Sequence, residues 1–360
     1  MASMPAGRTP RPEGSADRYR SPGQWPRNTL DDLLRAWSLR YGPRTALVHG
    51  DTRTTYARLN RRVDRVAAGF RLRGLRPGQH VVVQLPNVPE FVVTVFALMR
   101  AGAVPVFCPL PHPAPEVSRL VRVTEAVGYV GPSTYQGFDH TAMAADIAAR
   151  TPLLRRVFTF EVPGEASPYG GFSTDPSGCH YFPLGSLDSP PGPALAQSAD
   201  QVAFLLPSGG AAEGPEPVPR THDDYARRVR AAAELVSLTG NDVYLAALPA
   251  GSDLAFGCPG IVGALSVGGT VVLAESPDPA ACLALTEREG VTLTSLAPAD
   301  AQHWLEVLPT VRADLSSLRL VQLTHSAPPA HPTLTERLAS ALACQVQQVF
   351  QRPGGLLTTD

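Results

Sequence analysis

Short apolar runs alternate with helical stretches along most of this chain, and that rhythm restricts its possible folds more than any other feature. His80 to Leu85 reads as a buried strand, Pro89 to Arg100 as an apolar helix, and Ala103 to Phe107 as another strand. Parallel neighbours in a sheet need a crossover connection, usually a helix. The β-α-β order therefore argues for a parallel sheet. It continues through helix Val117 to Thr124, strand Gly128 to Val130, helix His140 to Arg150 and strand Arg156 to Phe160. A Pro/Gly/Ser-rich stretch, Gly164 to Pro193, interrupts it. The order then resumes, with strands at Gln201 to Leu206, Asp242 to Leu248, Thr270 to Leu273, Val291 to Leu296, Leu318 to Leu323 and Gln345 to Phe350. Upstream, Asp31 to Tyr41 has helical spacing, and Thr45 to Thr55 reads as a hairpin around His49-Gly50. Tyr56 to Leu72 places Leu59, Val63, Val66, Ala67 and Phe70 on one helix face. The pattern predicts an α/β protein with two stacked, mostly parallel sheets flanked by helices. Residues 1–28 are expected to form a disordered or loosely ordered tail. Residues 29–195 and 196–360 are expected to form two α/β subdomains.

Composition narrows the function classes. The formal net charge is -1, so no global field favours nucleic acid or an anionic membrane. Every one of the 31 basic residues is Arg. No Schiff base, Lys general base or Lys phosphate clamp can come from this chain. The 5 cysteines are scattered without a C-x-x-C pair, which suggests reduced thiols and a cytoplasmic protein. No run of eighteen apolar residues marks a membrane span.

The most informative stretch is Leu205 to Tyr225, LLPSGGAAEGPEPVPRTHDDY. A strand runs into Ser208-Gly209-Gly210, a turn able to aim backbone N–H groups at a phosphate. Yet no Lys follows the glycines, Ala211 and Ala212 stand where hydroxyls would help, and Glu213 and Glu216 bring negative charge. Thr221 is placed to cap the next helix, with Asp223 and Asp224 as first-turn charge. In open α/β sheets, ligands sit beyond the carboxyl ends of strands. The turns after Leu206, Leu248, Leu323 and Phe350 would converge there.

Taken together, these four turns resemble the adenylate-forming superfamily of acyl-CoA synthetases, peptide-synthetase adenylation domains and luciferases. Within it, the chain is most similar to aryl-acid AMP ligases, which activate 2,3-dihydroxybenzoate or salicylate. Leu205 to Tyr225 follows that group's SGGTTG-x-PK-x-x-PRTHDDY without a gap. Asp242-Val243-Tyr244-Leu245, Pro259-Gly260, Asp314 to Leu318, Gln347 to Phe350, Ala101 to Val106 and Gly137-Phe138-Asp139 also match. The resemblance implies the large N-terminal lobe of such an enzyme, without the small C-terminal lobe. It implies ATP and Mg²⁺ as the parent family's cofactors, an aryl acid or nucleotide as ligand, and a carrier protein or synthetase subunit as partner.

Carried over position by position, the resemblance leaves a nucleotide-binding remnant of Ser208, Gly209, Gly210, His222 and Phe350. It places Ser252, Asp253, Thr324 and His325 in the substrate pocket. The family's two phosphate-facing hydroxyl residues correspond to Ala211 and Ala212, its next Gly to Glu213 and its loop Lys to Glu216. Its His-Asn pair, whose Asn contacts the aryl acid, corresponds to Ser252-Asp253. Asp253 would either select a cationic ligand or face solvent. The family's Gly-Gly-Ala-Lys corresponds to Thr324 through Ala327. Its Gly-Met-Ala-Glu, whose Glu holds Mg²⁺, corresponds to Gln351 through Gly354. The resemblance therefore leaves no catalytic residue and no metal ligand. The expected protein is a degenerate, truncated homologue of siderophore or peptide-synthetase biosynthesis, kept for binding or scaffolding. The competing expectation is a split enzyme whose C-terminal lobe comes from another chain.

Overall fold

The computed structural model describes residues 28–110, 113–162, 171–207, 216–325, 332–352 and 355–359. Two eight-stranded sheets dominate it. The first runs, in spatial order, Pro217–Thr221, Val202–Pro207, Val104–Phe107, His80–Val83, Gly128–Pro132, Arg156–Phe160, His180–Pro183 and Ser173–Thr174. The second runs Gly355–Thr359, Gln345–Arg352, Leu320–His325, Leu293–Leu296, Val243–Ala246, Thr270–Leu273, Thr45–His49 and Thr52–Thr55. In both sheets the inner strands pair parallel, and each outermost strand is antiparallel to its neighbour. Helices flank the sheets, as the alternation predicts.

Sheet membership does not divide at residue 195. Hairpin strands Thr45–His49 and Thr52–Thr55 belong to the second sheet, while Val202–Pro207 and Pro217–Thr221 complete the first. Strand Pro217–Thr221 carries prolines at 217 and 219. It pairs only with Val202–Pro207, at the sheet's edge, where a missing N–H is tolerated.

The space between the sheets is filled by helices as well as strand side chains. Helix Pro89–Arg100 is buried along its whole length except at Glu90. Its Phe91, Val92, Val95 and Phe96 join Leu59, Val63 and Phe70 of helix Tyr56–Leu72 in one core with Val81, Phe107, Tyr244 and Val271 from the two sheets. A buried ion pair ties this layer to helix Leu30–Tyr41: Arg100 Nε donates to Asp31 Oδ1 at 2.6 Å. Helices Ala114–Val123 and His140–Arg150 cover the outer face of the first sheet, and Pro279–Glu289, Pro298–Val307 and Pro332–Leu342 that of the second.

Each sheet reverses its direction of growth at a central strand. From His80–Val83 the chain moves to Val104–Phe107 on one side and to Gly128–Pro132 on the other. From Val243–Ala246 it moves to Thr270–Leu273 on one side and to Leu293–Leu296 on the other. Crevices that bind ligands form at such switch points, outside the strands' carboxyl ends.

Candidate functional site

The two switch points are fastened together by one side chain. Asn87 follows strand His80–Val83 and is buried. Its Nδ2 donates to the carbonyls of Ala246 and Leu248, both at 2.9 Å, and its Oδ1 accepts from Ala250 N–H at 2.7 Å. An amide offers two donors and an acceptor in one plane, and here all three are used. The turn leaving Val243–Ala246 is thereby fixed from the first sheet. Sequence reasoning missed Asn87, because a single Asn between Pro86 and Val88 carries no periodic signal.

That turn delivers Ser252 and Asp253. Ser252 caps helix Asp253–Gly257, its Oγ accepting from Ala255 N–H at 3.3 Å. Asp253 is held by arginines: its Oδ2 lies 2.9 Å from Arg228 and 3.9 Å from Arg220. Arg228 comes from helix His222–Leu235 and Arg220 from the edge strand Pro217–Thr221. Burial disfavours the Arg228 charge, but the Asp253 carboxylate outweighs it and holds the guanidinium's pKa above the ordinary value. Arg228 went unnoticed in the sequence because helix His222–Leu235 carries three arginines, Arg227, Arg228 and Arg230. Only its position three residues after the buried Tyr225 sets it apart.

Tyr225 packs against helix Asp253–Gly257. It is fully buried, its ring edge-on to Phe204 at 4.6 Å and against Phe256 at 5.9 Å. Its hydroxyl donates to the Asp253 carbonyl at 3.4 Å. Burial, reinforced by Asp253, pushes its pKa well up, so it remains a neutral phenol. Gly257 is required beside it, since a Cβ there would stand 2.4 Å from the Tyr225 hydroxyl. Cys258 is buried and its thiol is pushed up to about 12, which makes it a packing residue rather than a nucleophile.

The other expected site residues are distributed as follows. Thr324 and His325 end strand Leu320–His325 and pair in register with Val349 and Phe350 of Gln345–Arg352. Val349 packs with Leu248, Leu254, Ala255 and Cys258, which brings the last parallel strand against the Asp253 helix. Ser208, Gly209 and Gly210, with Ala211, Ala212 and Glu213, lie outside the described residues, as do the side chains of His325 and Phe350. Thr221 does cap its helix, accepting from Asp224 N–H at 3.2 Å. His222 is buried, and its Nδ1 accepts from the backbone N–H of Leu30 at 3.1 Å. Burial lowers its pKa to about 4, against the opposing pull of Asp32. At neutral pH this ring is uncharged, and that nitrogen is occupied by the start of helix Leu30–Tyr41.

Among the described residues, no three His, Cys, Asp or Glu side chains gather to hold a metal ion. The Gln351-Arg352-Pro353-Gly354 sequence supplies no carboxylate. Among the described residues, no helix is long and apolar enough to cross a membrane.

Comparison with known proteins decides the family. The AMP-binding enzyme family matches residues 34–351. This chain belongs to that family. The AMP-binding chain is 37% identical over 354 residues to a 2,3-dihydroxybenzoate-AMP ligase of Bacillus subtilis, covering 98% of this chain and 62% of the relative. It is 38% identical over 367 residues to a salicyl-AMP ligase/salicyl-S-ArCP synthetase of Mycobacterium tuberculosis, again covering 98% and 62%. The apo structure of Mycobacterium smegmatis MbtA superposes with a TM-score of 0.84 at 36% identity, over 98% of this chain and 62% of that one. The chain thus spans 62% of the length of these relatives. Its resemblance to aryl-acid AMP ligases and its large-lobe architecture stand.

Proposed function

We propose that this AMP-binding chain is an adenylation lobe of the aryl-acid type that retains a ligand-binding cleft but does not form an acyl adenylate by itself. The reading rests on the phosphate-loop sequence Ser208 to Glu216. A triphosphate placed there meets Ala211 and Ala212 in place of two hydroxyl donors. It also meets the carboxylates of Glu213 and Glu216, the latter at the position of the family's loop Lys. Each charge-assisted hydrogen bond lost costs roughly 1.5–3 kcal/mol, and the carboxylates add repulsion. The absence of Lys from the sequence and of a carboxylate from Gln351-Arg352-Pro353-Gly354 points the same way. Phosphoryl chemistry depends on neutralising developing charge, and these positions cannot do it.

The retained role is binding or scaffolding beside a carrier protein or synthetase subunit, in siderophore or nonribosomal peptide biosynthesis. Similarity to a salicyl-AMP ligase/salicyl-S-ArCP synthetase and, at 36% identity, to pyochelin synthase PchD of Pseudomonas aeruginosa supports that setting. Calorimetry with ATP·Mg²⁺ and pyrophosphate exchange with salicylate or 2,3-dihydroxybenzoate test the reading. The expected result is no exchange above buffer, together with measurable affinity for an acyl-sulfamoyl adenosine. Exchange catalysed by the purified chain would overturn it.

A further inference from the structure

One group of charges near the head of the central turn is left incompletely satisfied. Arg220, Arg228 and Asp253 have side-chain exposures of 12%, 16% and 17%. Two guanidiniums face one carboxylate, so the group carries one positive charge in excess. Three of its atoms, Arg220 Nε, Arg228 Nη1 and Asp253 Oδ1, are buried without a hydrogen-bond partner among the described residues. Native structures rarely leave buried polar atoms unpaired, and each such atom calls for an explanation. The group's carboxylate, Asp253, follows the turn at the carboxyl end of a switch-point strand, where Asn87 bonds Ala246, Leu248 and Ala250.

The geometry makes Asp253 a poor partner for an incoming cation. Its Oδ2 already meets Arg228 at 2.9 Å. An ammonium approaching the carboxylate would also stand close to two guanidiniums in a partly buried setting, where like charges repel strongly. A carboxylate reaching the accessible part of the two guanidiniums would meet their surplus positive charge. From this we infer that Arg228 determines the charge selectivity of the acid-binding turn: by pairing with Asp253 it withdraws that carboxylate from recognition and leaves the turn selective for anionic over cationic ligands. This rests on the acid-binding cleft proposed above. Asp253 alone would have the opposite preference, so the sign of the pocket is set by a helix residue 25 positions away.

Benzoate and benzylamine, which share a ring and carry opposite charge, are suitable probes. Ligand-observed NMR titrations of the full chain, Arg228→Gln, Asp253→Asn and the double variant give the benzoate-to-benzylamine affinity ratio, with circular dichroism to confirm folding. In the parent chain, benzoate binds more tightly than benzylamine. In Arg228→Gln the ratio falls by about tenfold or more, a change expected when a partly buried charge is unmasked. In Asp253→Asn benzoate binds at least as tightly as before, and in the double variant the gain in benzylamine affinity disappears. An unchanged ratio in folded Arg228→Gln, in a chain that binds benzoate, overturns this inference alone and leaves the pair a structural contact. If Arg228→Gln does not fold, Asp253→Asn carries the test. There, a loss of benzoate affinity of about tenfold overturns the inference, because the carboxylate would then itself read the ligand. Binding of neither probe by any of the proteins overturns the acid-binding cleft and the inference together.

Discussion

Replacing Asn87 tests whether the two sheets are joined as described. Asn87→Ala removes three hydrogen bonds at once, but their losses differ. The Ala246 carbonyl keeps a second partner, the N–H of Ala274 at 3.3 Å. The Leu248 carbonyl and Ala250 N–H are left buried with no replacement among the described residues. A buried backbone group stripped of its partner costs about 1–3 kcal/mol. Two such groups, with a smaller term for Ala246, put the destabilisation at about 4 kcal/mol. A chain of this size loses roughly 2 °C of melting temperature per kcal/mol, so the thermal midpoint should fall by about 8 °C. Asn87→Asp separates hydrogen bonding from packing. It preserves shape and the acceptor for Ala250 N–H, but turns a carboxylate oxygen toward two carbonyls. Aspartate should therefore destabilise more than alanine despite its closer fit. Thermal unfolding followed by near-ultraviolet circular dichroism checks both. An alanine variant within about 1 kcal/mol of the parent, near the net value of a single hydrogen bond, would refute the reasoning. So would an aspartate variant more stable than the alanine one.

His222 makes stability depend on pH. Its folded pKa of about 4 lies below the ordinary 6.5, so the unfolded state binds the proton more readily. Its contribution is complete above pH 6.5 and is lost as pH falls toward 4, amounting to about 3 kcal/mol. His222→Asn, which keeps an acceptor for Leu30 N–H, should flatten the stability profile across that window; urea titrations of both proteins check this, and parallel profiles would count against it. Gly257→Ala drives a Cβ to 2.4 Å from Tyr225. It should cost about 1–3 kcal/mol by overpacking, and displacement of Tyr225, whose hydroxyl bonds the Asp253 carbonyl, should weaken benzoate binding in ligand-observed NMR titrations. Full stability with unchanged benzoate affinity would show that the ring can move at no cost.

The parts of the fold legible in the sequence are those with a local signature. Helix Tyr56–Leu72 is readable to the residue because Leu59, Val63, Ala67 and Phe70 repeat at helical spacing and all are buried. Strand Val104–Phe107 reads as a continuous apolar run because both faces are covered. Strand Pro217–Thr221 is hidden by its prolines, which only an edge position tolerates. Helix Asp253–Gly257 is five residues long, too short to show a period. Sheet membership is illegible for a different reason. Which strand pairs with Thr45–His49 is decided by Val271 and Val272, over two hundred residues away, as the Leu47–Val271 register shows. The site divides in the same way. Ser252 and Asp253 are singled out in the sequence by the family resemblance at the turn that follows a strand. Their partners Asn87 and Arg228 are not, because the contacts that define them are tertiary.

The exchange of strands between the sheets bears on how the chain can be assembled. A ribosome that has released residues 29–195 has made a hairpin whose docking edge, Thr270–Leu273, does not yet exist. Over the same interval the strand Val104–Phe107 waits with an open flank for Val202–Pro207. Neither layer can close early, and a protease nick near residue 195 would yield two fragments, each carrying a piece of the other's sheet. The polypeptide is stitched rather than serially built, so it should ripen as one unit or not at all.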